Sequence, residues 1–176
     1  MSSQEGHVEV VMLLLAKDAD VNQASNDGCT SLIQSSGNGH HEVVKLLLAV
    51  GANVNHADKD GFTPLIVSSQ DGHQEVVKLL LDYGAEVDQT DEDGFTPLMA
   101  SSCDGHAEVV KLLLAHGADV NQANDDGVTP LLISSQFGHQ EVVKLLLANG
   151  AKVDQANNNG WTPLYTSSKN GHKDVV

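Results

Sequence analysis

Residues 60–87 read DGFTPLIVSSQDGHQEVVKLLLDYGAEV and residues 93–120 read DGFTPLMASSCDGHAEVVKLLLAHGADV, the same 28-letter phrase with seven changes. The copies begin 33 residues apart, and the rest of the chain keeps that step. A glycine opens the phrase at Gly28, Gly61, Gly94, Gly127 and Gly160. A Gly-His pair recurs with its glycine at Gly6, Gly39, Gly72, Gly105, Gly138 and Gly171. A period of this length marks an array of stacked supersecondary units, each burying its apolar face against the next.

One unit shows the local logic. Thr63-Pro64 predicts a helix start, because threonine caps free amides and proline suits the first helical position. Gly72 stops that helix after about two and a half turns of ~3.6 residues. A second helix follows from His73, with Glu75 early and Lys78 three residues on along its exposed side. Val76, Val77, Leu79, Leu80 and Leu81 give it an apolar stripe too broad for a lone surface helix. Gly84 supplies the left-handed residue that ends it. The polar AEVDQTDEDG that follows predicts an extended turn or hairpin. Ser68-Ser69, repeated at 35/36, 101/102, 134/135 and 167/168, allows neighbouring helices to approach closely, with hydroxyls expected to bond back to their own helix.

Composition narrows the function classes. Apolar residues make up 40% of the chain but aromatics only 3%, so the core must be aliphatic. No apolar run reaches the ~18 residues of a membrane span. No basic-then-apolar leader opens the sequence, so an intracellular protein, cytoplasmic or nuclear, is expected. Cys29 and Cys103 lie in different repeats and are expected as free thiols in a reducing compartment. The formal charge is −15, from 24 acids against nine lysines and no arginine. Phosphate neutralisation needs Lys and Arg, which excludes nucleic acid as the expected partner. A charge-steered partner would be basic.

These motifs resemble the ankyrin repeat: D-G-x-T-P-L at the opening, G-H-x-E-V-V-K-L-L-L in the second helix, G-A-x-V at the exit. The resemblance spans essentially the whole chain. It implies an all-α solenoid of antiparallel helix pairs with projecting turns, and a concave face, formed by turn tips and first helices, that binds another protein. The boundaries that follow are full repeats at 26–58, 59–91, 92–124 and 125–157, with partial ones at 1–25 and 158–176. Ser2-Ser3 align with Ser35-Ser36 and Val175-Val176 with Val142-Val143, as in a segment of a longer array or one cut without regard to capping. A monomer is expected, with end-to-end association open to its uncapped ends.

The departures from the family pattern carry expectations of their own. The histidine usual after T-P-L is replaced by Ile33, Ile66, Met99, Leu132 and Tyr165, so apolar packing must do its work. Ser-Ser stands for Ala-Ala, Ser31 for proline and Asp18 for the helix-ending glycine. The last two should weaken the first units, the glycine loss by ~1 kcal/mol.

Catalytic and metal sites find no support. Five serine pairs cannot all be nucleophiles. The Gly-His histidines His7, His40, His73, His106, His139 and His172 stand one repeat, ~10 Å, apart, too far to share a metal with bonds of ~2 Å. Asp58-x-Asp60 and Asp91-x-Asp93 match the start of a calcium loop but lack its later ligands. No cofactor is expected. The residues that vary between copies point instead to recognition: Cys29, Phe62, Phe95, Val128 and Trp161 after the turn glycines, and Gln34, Val67, Ala100, Ile133 and Thr166 on the first helices. By the family's geometry these face the concave side. There Phe62, Phe95 and Trp161, rimmed by Asp60, Glu92, Asp93, Asp125 and Asp126, would either form an apolar groove with an acidic border or pack on neighbouring turns to stiffen them. The resemblance also implies that Asn22, Asn55 and Asn121 could be substrates for asparaginyl hydroxylation, with Asp88 and Asp154 replacing asparagine elsewhere. A binding module is the leading reading. The alternatives are a spacer segment of a larger protein and a consensus-derived artificial array.

Overall fold

The computed structural model describes residues 2–172, with side chains from residue 8. Val175 and Val176, expected to begin a second helix, lie outside the described residues, as does the side chain of His7. Among the described residues there are ten helices and no strands. The first helices of successive units are α2 (Ser31–Gly37), α4 (Pro64–Gln70), α6 (Pro97–Asp104), α8 (Pro130–Phe137) and α10 (Pro163–Asn170). The second helices are α1 (Ser2–Leu15), α3 (His41–Ala49), α5 (Gln74–Asp82), α7 (Ala107–Ala115) and α9 (Gln140–Ala148).

Each first helix begins as the sequence dictates. Thr30, Thr63, Thr96, Thr129 and Thr162 adopt extended backbone, and each hydroxyl accepts the amide three residues on, at 3.2–3.3 Å. Proline follows in every case except α2, where Ser31 takes its place. First helices pack side by side in one layer, α2–α4–α6–α8–α10, and second helices in another, α1–α3–α5–α7–α9. The core between the layers is wholly aliphatic, with Leu65, Val77, Leu80, Leu98, Val110, Leu113 and Leu146 enclosed. Each such side chain contributes about 2 kcal/mol of burial. The Glu–Lys pairing closes at Glu141–Lys144 (2.9 Å) and Glu108–Lys111, on exposed surface where such pairs contribute little.

The first unit departs from the pattern. The Gly6-His7 break expected there is absent, and α1 runs on as one continuous helix. At the other end of α1, Asp18 takes a left-handed conformation, φ 60°, as the glycine would. Outside glycine this conformation costs about 1 kcal/mol.

Candidate functional site: the row of turn tips

Each polar exit segment folds into a tight turn. Asp58 N–H donates to Phe62 O, Asp91 to Phe95, Asn124 to Val128 and Asn157 to Trp161, at 3.0–3.1 Å. The side chain of the same residue caps the turn from within. Asp58 Oδ1 accepts the amides of Asp60 (3.1 Å) and Phe62 (2.8 Å), and Asp91, Asn124 and Asn157 repeat the arrangement. Neutral asparagine serves as well as aspartate here, so the charge of Asp58 and Asp91 is not needed to form the turn. Adjacent turns are then tied to each other: Lys59 N–H donates to Asp27 O (3.0 Å), Glu92 to Asp60 (3.0 Å), Asp125 to Asp93 (3.3 Å) and Asn158 to Asp126 (2.9 Å).

The tips are thereby set in a row whose outer carboxylates are free. Asp60, Glu92, Asp93, Asp125 and Asp126 are all exposed, and their carboxylates form no hydrogen bond or ion pair with the described residues. Behind them Phe62, Phe95 and Val128 are half-buried, while Trp161 is 37% exposed. The Trp161 ring lies 5.8 Å from that of Tyr165, with Lys169 Nζ 4.4 Å over its centroid, a cation–π contact. The aromatics therefore do not form one open line.

The first-helix residues need a firmer correction. Ile133 is only 7% exposed and cannot present itself to a partner. Ala100, between α4 and α8, and Thr166, on α10 beside α8, are buried too. Val67 is half-buried, and its side chain approaches Gly37 of the preceding unit. Gln34 alone of this set is exposed.

The Gly-His histidines do more than begin a helix. His40, His73, His106 and His139 do not cap their own helices with their side chains. Instead, ring Nε2 reaches back one repeat to a main-chain carbonyl: His73 to Gly37 (2.9 Å), His139 to Cys103 (2.7 Å) and His172 to Gln136 (2.9 Å). A carbonyl only accepts, so Nε2 carries the proton in each. His56 makes a similar tie to Gly28 O at 2.9 Å. At the position after T-P-L, Ile33, Ile66, Met99 and Leu132 are buried as expected, whereas Tyr165 is exposed.

Asn22, Asn55 and Asn121 form a second set of ties. Their Oδ1 atoms accept the amides of Asn53 (2.8 Å), Glu86 (2.9 Å) and Lys152 (2.8 Å) in the following unit. Asn121 Nδ2 also donates to Gly150 O at 3.2 Å. Asp88 occupies the same position and accepts the Asp119 amide (3.1 Å) but has no amide to donate. Burial, and then the negative charge of Asp119, push its carboxyl above the ordinary value, against the opposing pull of the Asp119 amide. A raised acid favours the folded state when protonated, so the penalty is full above the folded-state pKa and fades as pH falls towards the unfolded value. Asp88→Asn is therefore expected to stabilise the chain by about 1 kcal/mol at neutral pH. Thermal melts should show the gain shrinking in acid.

Cys29 and Cys103 are free and half-buried. Burial raises both thiols first, with Asp58 and Asp27 adding to the effect at Cys29 and Asp104 at Cys103. Among the described residues no three His, Cys, Asp or Glu side chains converge as a metal site. No described helix is long and apolar enough to cross a membrane.

Repeating helix pairs, capped turns and inter-unit ties define a stacked-repeat protein. The family model described as ankyrin repeats (3 copies) matches residues 1–91, 50–124, 84–157 and 118–176, and the chain belongs to the ankyrin-repeat family. A comparison with curated proteins finds no match. Ankyrin repeats are generally protein-interaction modules.

Proposed function

We propose that the chain is a protein-binding module that recognises a basic partner through the concave face edged by its turn tips, without catalysis. The observation that carries this reading is the row of free carboxylates at Asp60, Glu92, Asp93, Asp125 and Asp126, held in place by turn-to-turn hydrogen bonds. Charges fixed in advance lose little entropy on binding and speed encounter with an oppositely charged surface. Phe62, Phe95 and Val128 supply half-buried apolar contact behind the acids, and Trp161 an exposed anchor. Recognition of this kind suits an intracellular setting, cytoplasmic or nuclear. Hydroxylation of Asn22, Asn55 or Asn121 would fall on residues that tie neighbouring repeats together, and so would act on array stability.

The test is affinity capture with the triple variant Asp60→Lys, Asp93→Lys, Asp126→Lys, beside a control changing Glu42→Lys and Glu75→Lys on the second helices. Circular dichroism confirms that all three proteins are folded. A basic protein held by the original and the control, released by salt and lost by the tip variant, is the expected result. Retention by the tip variant would contradict the reading and favour a spacer role.

A further inference from the structure

Four asparagines in the chain precede a glycine: Asn38, Asn149, Asn159 and Asn170. Such a pair is the most prone to deamidate, because a glycine offers no side chain to hinder attack by its own amide nitrogen. All four asparagines are exposed, so sequence and accessibility do not separate them. Their side chains do. Asn38 Nδ2 donates to Gln34 O (2.7 Å), Asn149 Nδ2 to Leu145 O (2.8 Å) and Asn170 Nδ2 to Gln136 O (2.8 Å). Each of these bonds holds the carboxamide on a helix and away from the next amide nitrogen. The Asn159 carboxamide forms no hydrogen bond with the described residues, although its main-chain amide donates to Asn157 Oδ1 at 3.0 Å.

An added Cβ would meet nothing within 4 Å at Gly150, Gly160 or Gly171 and would meet the His73 ring at Gly39, so local space does not separate Asn149, Asn159 and Asn170. The following glycine amide is hydrogen-bonded in all four pairs, to Ser36, Leu147, Asn157 and Ser168 carbonyls, so that bond must open in each.

We propose that Asn159 is the chain's preferred site of spontaneous deamidation. The Gly160 amide nitrogen attacks Asn159 Cγ, an N–C bond forms, and the side-chain nitrogen leaves as ammonia after the Gly160 amide gives up its proton. Water then opens the succinimide at either carbonyl, giving aspartate or isoaspartate. The aspartate product is the residue that stands at this position in the other tips, Asp27, Asp60, Asp93 and Asp126. It adds one negative charge to the row.

The experiment is prolonged incubation of the full chain at neutral pH, followed by peptide mapping with fragmentation that separates aspartate from isoaspartate. Asn159 should convert first, about fivefold faster than each of the other three, the factor expected from one retained hydrogen bond. In urea the four rates should converge, since the difference is structural. Conversion of Asn38, Asn149 or Asn170 as fast as Asn159 in the folded chain would overturn the proposal. So would an Asn159 that stays intact while the others convert, or a rate order unchanged by urea.

Discussion

Gly61→Ala is expected to destabilise the array by about 3 kcal/mol, against about 1 kcal/mol for Gly84→Ala. The two glycines share a left-handed backbone, φ 85° and 83°, so the intrinsic strain of an added side chain is the same. Their surroundings differ. A Cβ on Gly84 meets nothing within 4 Å, while one on Gly61 would sit 2.6 Å from Asp91 Cα and 2.7 Å from Glu92 N. Those are main-chain atoms of the next turn, and Glu92 N is the donor that ties that turn to Asp60. Relief therefore requires the turns to part. Because a repeat array is stabilised by nearest-neighbour interfaces, weakening one of them should also broaden the urea transition. Equal costs for the two variants would show that the turns are not packed as described.

The opposite sign is expected at the serines. In four of the five pairs the first hydroxyl behaves as anticipated (Ser167 donates to His172 O instead): Ser35, Ser68, Ser101 and Ser134 donate to the carbonyl three residues earlier, at 3.1–3.3 Å. The second does not. Ser36, Ser69 and Ser102 are fully enclosed and their hydroxyls have no partner. A buried hydroxyl without a partner costs about 1–3 kcal/mol. The triple variant Ser36→Ala, Ser69→Ala, Ser102→Ala should stabilise the chain by about 3 kcal/mol, since sites one repeat apart add. That corresponds to a rise in Tm on the order of 10 °C for a chain of this size. Ser68→Ala is the control and should lower stability slightly. An unchanged or lower Tm in the triple variant would mean that these hydroxyls are satisfied, for instance by buried water.

What could be read in the sequence and what could not follow a physical division. Helix starts at Thr-Pro, stops at Gly72 and Gly84, and the aliphatic stripe of α5 are local signals, and the structure follows them. The 33-residue step made the stacking legible because identical units bury identical faces. The histidine ties were not legible, since a bond from His73 to Gly37 O spans 36 residues and leaves no local trace. The burial of Ile133 was missed for a related reason: it depends on the helices on either side, not on the face of α8 alone. The continuity of α1 is the reverse case: the Gly6-His7 motif reads as a break in the sequence, and the helix runs through it. The free carboxylates stand between these cases. Their exposure at turn tips was legible, and the structure adds the reason Asp60 differs from Asp58, whose Oδ1 accepts the amides of its own turn.

The central claim is that the tips form a preorganised row, so the most direct measurement is amide hydrogen exchange at Lys59, Glu92, Asp125 and Asn158. These donors sit on exposed or half-buried turns, where an amide without a partner exchanges freely, and each is bonded only to the preceding turn. Stable turn-to-turn bonds should make all four exchange slowly, close to the rate at which whole repeats open. Exchange at the rate of an unstructured peptide would show that the tips move independently, and would contradict the account of a recognition surface fixed before the partner arrives.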